Sequence, residues 1–394
     1  LGKVTNFISI LAKRGDEMTE GKEIEGIFVP YAAGILCFSI LHAHITASGF
    51  GIYYIPAAIV TAVSILSALR LLYDRNITIK YCAAVFLLLG IQSAITNNLT
   101  CSRENVISES LFRKAGTCTA YFSGITDKIP FPSAESGNLI KALTTGNKSG
   151  LSKSVIGSFR KSGASHILAL SGLHLGIIYL LLLSILKIMG NSAFSGIARY
   201  ISIISACGFY SVATGASPSI VRAFLFILLN ETAKITHRQR RPLYILFAAL
   251  SIQLSINTDI IKSPGFQMSY MAMLGIFIIF PVLQKWYGYE NSCRNGITGF
   301  IGRHNPLKKI WDTAALSISC QVFTAPVAWY YFGTFPKYFL ITNLIALPMT
   351  TIIMILSIII ICLYQIGICP LFLIDIDDTI INGLLRSLDI ISSM

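Results

Sequence analysis

Long apolar runs separated by short polar or basic punctuation dominate the chain from residue 26 to about 364. About 20 apolar residues cross roughly 30 Å of hydrocarbon as a helix, and most of these runs approach that length. Spans are expected at about 26–47, 51–73, 79–97, 164–188, 197–214, 218–235, 243–257, 265–284, 311–332 and 338–364. The pattern therefore predicts an all-α, polytopic transmembrane bundle of about ten spans. The stretch from Ile380 is an eleventh candidate, with Asp375, Asp377, Asp378 and Asp389 weighing against a span there. Five regions follow: an N-terminal segment, 1–25; a three-helix membrane unit, 26–97; a hydrophilic helical region, 98–163; a second membrane domain, 164–364; and a cytoplasmic or interfacial C-terminal segment, 365–394.

Composition agrees with the pattern. The chain is 54% hydrophobic and only 12% charged, where soluble domains carry about a quarter charged residues. Its formal charge of +13 has topology as its first use, since Lys and Arg gather in cytoplasmic loops. Lys13, Arg14, Arg70, Arg75, Lys80, Lys234, Arg238, Arg240, Arg241, Lys308 and Lys309 fall on one side of the expected spans; short loops opposite hold only Lys262 and Lys337. Both termini are accordingly expected in the cytoplasm, and 98–163 outside. That outer region is itself basic, with Arg113, Lys114, Lys148, Lys153, Arg160 and Lys161 as candidates for a collar that attracts a polyanion or lipid head groups. Seven of the nine cysteines lie in or near apolar runs and read as small hydrophobes. Ile107, Leu111, Ala115, Cys118, Phe122 and Ile125 recur at helical spacing, which would hold Cys118 about 20 Å from Cys101, beyond bridging distance.

Four polar clusters interrupt the apolar runs. The first, SHILALSGLHLG at 165–176, places His166, Ser171 and His174 in a span, where each needs a partner or a wet cavity. Gly172 and Gly176, four apart, suit close helix packing. Ser171 and His174 share a helical face, yet a pair with no third orienting group is not a triad, so no catalytic set is expected. The second, GASPSIVRAF at 215–224, predicts a helix start with Ser217 as cap and Pro218 first, carrying Arg222 into the membrane. The third opens a helix at Pro264 and Gly265 and supplies Gln267 and Ser269. The fourth, 324–348, has Pro326 and Pro348 expected to break helices, with Asn343 between them. Broken helices at membrane depth line cavities or pathways. A translocation seam is thus predicted through His166, Ser171, His174, Arg222, Gln267 and Asn343.

These segments, HILALSGLHLG, SPSIVRAFL, SPGFQMSYMAMLGIF and YYFGTFPKYFLITNLIALP, resemble in order the motifs of the ComEC-type competence family. The resemblance covers about 138–363, and the first three spans are similar to the family's N-terminal region. It implies a competence-type channel domain over 164–364, in the bacterial inner membrane, that admits single-stranded DNA during transformation while the complement is degraded outside. It also implies a separate outer DNA receptor, a separate nuclease and a cytoplasmic DNA translocase as partners. Family members commonly carry an OB-like domain and a metallo-β-lactamase-like domain, and neither is expected here. His42 and His44 form HAH without the Asp-His such a metal motif needs, TTGNKSG lacks P-loop spacing, and LIDIDDT resembles a phosphatase nucleophile motif with too few residues after it. No metal or cofactor is expected. The same polar seam would also suit a secondary transporter or flippase for an anionic small molecule or lipid, and Ser171 with His174 an intramembrane hydrolase.

Overall fold

A computed structural model describes residues 30–36, 84, 86–91, 106–190, 193–236, 242–286, 306–333 and 337–393. Every regular element among them is helical, as the apolar runs predict. In chain order we label α1 (Val106–Lys128), α2 (Ala134–Thr145), α3 (Lys153–Lys161), α4 (Ser165–Leu168), α5 (Gly172–Leu186), α6 (Ala193–Ala213), α7 (Pro218–Ile235), α8 (Pro242–Ile256), α9 (Pro264–Ile278), α10 (Phe280–Lys285), α11 (Pro306–Phe332), α12 (Phe339–Gln365) and α13 (Leu371–Ser393). The chain forms two compact units, Leu1–Glu104 with Gln239–Ser263, and Asn105–Arg238 with Pro264–Met394.

In the first unit, two helical segments cross at glycines. A Cβ on Gly34 would overlap the Leu87 carbonyl oxygen, and one on Gly90 the Tyr31 carbonyl oxygen. Such glycines let two backbones touch, the packing that replaces hydrophobic drive between helices in lipid. Tyr31 Oη and Ser255 Oγ, 2.7 Å apart, tie one of these segments to α8. The expected spans at 26–47, 51–73 and 79–97 otherwise lie outside the described residues, as does Cys101.

The second unit holds three helices long and apolar enough to cross a membrane: Phe194–Ala213, Pro264–Lys285 and Phe339–Gln365. Gly172–Leu186 and Pro242–Ile256, the latter in the first unit, are apolar but shorter. Along α6, Phe194, Ile197, Ile201, Phe209 and Val212 leave an exposed apolar stripe, Phe194 at 82%. Stripes of this size mark contact with a membrane or another apolar surface, which fits a membrane protein. The tightest pair is α9 with α11, where a Cβ on Gly275 would overlap the Ser319 carbonyl oxygen. Gly215 (φ 81) and Ala216 (φ 48) turn α6 into α7; Ala216 is the one non-glycine with positive φ among the described residues, held by its N–H to Ser211 O at 2.8 Å.

Two expectations change. Pro326 and Pro348 break nothing: each sits inside a continuous 27-residue helix, α11 and α12. Proline forfeits one backbone bond, and in a packed apolar bundle the surrounding turns carry the helix through it. The expected span 164–188 is two helices, α4 and α5, separated at Ala169–Ser171. The hydrophilic region, expected outside, lies along α12. Tyr364 Oη donates to Lys128 O at 2.9 Å, and Thr342 Oγ1 donates to Ser162 O at 2.8 Å. Those contacts are 22 residues apart on α12, about 33 Å at 1.5 Å per residue. Leu139, Ile140 and Leu143 of α2 and Phe159 of α3 are fully buried in one core with Ala346, Ile353, Ile381, Leu384 and Leu388.

The C-terminal helix α13 returns along α12, with Ser357 Oγ donating to Asp377 Oδ2 at 3.0 Å and Gly383 facing Met349. At its far end Ser158 Oγ donates to Asp389. The end of α13 and α3 therefore meet at one end of the bundle.

Candidate functional site

The predicted polar residues converge where α4 gives way to α5. Ala169 (φ −82, ψ 132) and Ser171 (φ −122, ψ 168) are extended, so the helix stops between them. Ser171 caps α5, its Oγ accepting from Leu173 N–H at 3.3 Å. His174 completes the reciprocal cap: its Nδ1 accepts from Ser171 N–H at 3.1 Å and lies 3.0 Å from Ser171 Oγ. It stands where a capping box ordinarily has Glu or Gln. An accepting Nδ1 leaves the ring proton on Nε2, and that atom is buried with no hydrogen-bond partner. The Ser–His proximity is a local helix start. Among the described residues no acid orients the ring, so the arrangement lacks what a triad needs.

Arg222 reaches this spot from the second turn of α7, after the helix opens with Pro218 at its first position as expected. Ser217 precedes it without a side-chain cap bond. Arg222 is 8% exposed, and its Nη1 donates to the Ser269 carbonyl oxygen on α9. Gly172 makes the approach of the other arm possible. A Cβ there would stand 2.7 Å from Nη2 and 3.2 Å from Ala223 Cβ. Among the described residues no carboxylate pairs with the guanidinium. The partly positive N-terminal end of α5 thus lies beside a cation with no carboxylate partner among the described residues.

The remaining predicted residues sit nearby but apart. His166 is exposed on α4, its Nδ1 3.2 Å from Gly163 O. Gln267 lies two residues before Ser269, and its Nε2 donates to Tyr331 Oη at 2.9 Å. Asn343 is 9% exposed, with Oδ1 lacking a partner. Gly176 is no packing contact, since a Cβ on it meets nothing within 4 Å. Pro264 opens α9, and Gly265 O accepts from Ser219 Oγ at 3.3 Å. Of the collar, Lys148, Lys153, Arg160 and Lys161 are exposed, and the side chains of Arg113 and Lys114 lie outside the described residues. A Cβ on Gly146 would overlap Leu170, which places the loop carrying Lys148 beside the α4–α5 break.

Sequence reasoning missed Glu231. It is 3% exposed on α7, accepts from Tyr179 Oη of α5 at 2.6 Å and pairs with Lys234 at 3.5 Å. The signal was present, an acid closing an apolar run, but Lys234 beside it reads only as one of the basic residues that set orientation. Gly275 and the Ser269 carbonyl were also missed, because backbone atoms carry no sequence signature.

The sequence model of the competence protein family matches residues 143–394, from the end of α2 through α13. The chain belongs to the competence protein family. All six seam residues and the α4–α5 break fall inside the matched stretch. The chain is also similar to ComE operon protein 3 of Bacillus subtilis (strain 168), 25% identical over 151 residues. That alignment takes in 38% of this chain and 19% of the relative, about a fifth of the latter's length. No solved structure matches the chain.

Proposed function

We propose that this competence family member is a multi-pass inner-membrane channel for uptake of single-stranded DNA during natural transformation, with about ten spans. The observation that carries the reading is Arg222: a buried guanidinium without a counter-charge among the described residues, set against a helix N-terminus. An uncompensated buried cation is costly unless an anion visits it. Around the neighbouring surface, exposed Lys148, Lys153, Arg160 and Lys161 provide a basic collar that draws in a polyanion. Single-stranded DNA suits both, because its phosphates follow a charged groove whatever the base sequence. The strand then passes the seam formed by His166, Ser171, His174, Arg222, Gln267 and Asn343, whose contacts are few enough to allow release.

An inside-negative potential opposes an inward-moving anion by about 2.3 kcal/mol per charge per 100 mV. A cytoplasmic translocase must therefore pull, an outer receptor must deliver the strand, and a separate nuclease must remove its complement. Radiolabelled DNA uptake in a deletion strain tests this. Uptake should vanish, return with the wild-type chain and with Ser171→Ala, and stay low with Arg222→Ala at equal protein level. Normal uptake in the deletion strain would end the channel reading and favour a transporter or flippase for a smaller anion. Failure of Ser171→Ala at wild-type protein level would instead revive the hydrolase.

A further inference from the structure

We infer that the first turn of α5 and the Arg222 guanidinium form a binding station for a single phosphodiester group. Two positive features meet there. The Gly172 N–H, first of α5, has no hydrogen-bond partner among the described residues, since the Ser171 side chain caps Leu173 instead. Arg222 commits Nη1 to the Ser269 carbonyl oxygen and holds Nη2 directly over Gly172. Like charges do not settle side by side without an anion to share. A tetrahedral oxyanion answers both: several oxygens, negative charge, and geometry that suits an arginine fork and a helix N-terminus together.

Gly172 is then a positioning residue. A side chain there would collide with the movable tip of Arg222 and with Ala223 Cβ, so it displaces the cation rather than the helix backbone. The carrier of the phosphate is taken from the DNA-uptake reading, while the oxyanion site itself stands on the donors alone. Inorganic phosphate and a lipid head group share this chemistry, and the assay separates them from the strand.

The test uses the full chain in nanodiscs of phosphatidylcholine alone, with a fluorescein-labelled oligothymidylate followed by anisotropy across a KCl series. Gly172→Ala and Arg222→Gln should each weaken binding about tenfold and reduce the salt slope by about 0.7 for the one phosphate lost. Arg222→Lys should recover part of the affinity but not the fork. Inorganic phosphate should displace the oligonucleotide from the wild type more than KCl of equal ionic strength does, and lose that advantage with Arg222→Gln. Thermal unfolding of each variant serves as the folding control, and Gly172→Ala keeps the test open if Arg222→Gln does not fold. Unchanged affinity and slope in the folded variants overturns the station, as does displacement by phosphatidylglycerol nanodiscs but not by phosphate. The two readings fail separately: normal transformation in the deletion strain with phosphate binding intact removes only the channel, and lost transformation with wild-type oligonucleotide binding by Arg222→Gln removes only the station.

Discussion

Single atoms decide how closely these helices meet. At Gly275 the obstacle to a side chain is the Ser319 backbone carbonyl, which cannot rotate away, so Gly275→Ala should destabilise the protein by about 1–3 kcal/mol in detergent unfolding. Gly176→Ala, which meets nothing, should stay within about 0.5 kcal/mol of wild type in the same assay. Tyr179→Phe deprives buried Glu231 of its 2.6 Å donor and leaves only the longer contact to Lys234. A loss of about 1–3 kcal/mol is expected, and a melt unchanged from wild type would contradict the importance given to this α5–α7 tie. Polar residues inside apolar runs, such as His174 and Arg222, were legible in the sequence because hydrocarbon makes them expensive. Their partners were not, since Ser269 and Gly172 contribute a carbonyl and an empty space.

Helices α11 and α12 show how far local signals reach. Proline is the strongest breaker in water, yet Pro326 and Pro348 lie within helices of 27 residues each. Pro348→Ala should leave helix content by circular dichroism unchanged and shift stability by at most about 1 kcal/mol; a large gain in helicity would mean that the proline had been breaking α12. The breaks that do exist are the ones with capping chemistry. Ser171 marks the start of α5 because its side chain accepts from the Leu173 N–H while that of His174 accepts from the Ser171 N–H. Pro218 opens α7 for the related reason that a first-turn residue needs no N–H. The start at Pro218 was thus readable from its ring, whereas the break at Ser171, inside what reads as one apolar run, was not.

At the scale of the whole molecule, the surprise is the company kept by α12. It packs against α2 and α13, and α13 packs in turn against α3, so a region read as hydrophilic is half core. Because Ser158 meets Asp389, single cysteines placed at those two positions in a cysteine-free chain should react with an impermeant thiol reagent from the same side of the membrane. Labelling from opposite sides would break the arrangement of α3 and α13. The collar acts at this scale too. Replacing Lys148, Lys153, Arg160 and Lys161 together by Gln should lower oligonucleotide affinity most at low salt and flatten its salt dependence, as expected for charges that attract a strand without reading it.

By itself the sequence determined that the chain is apolar and helical, that a helix begins at Pro218, and which few polar side chains must be accommodated among the apolar runs. Those properties are local: they depend on hydropathy over a helical turn or two and on caps a few residues long. Only tertiary structure decided that Arg222 would lie over Gly172, that α2 would line α12, and that α13 would come back to Ser158. Such contacts join residues from about 50 to more than 200 positions apart, and they are chosen by the fit of one buried face to another, including backbone atoms that every residue shares.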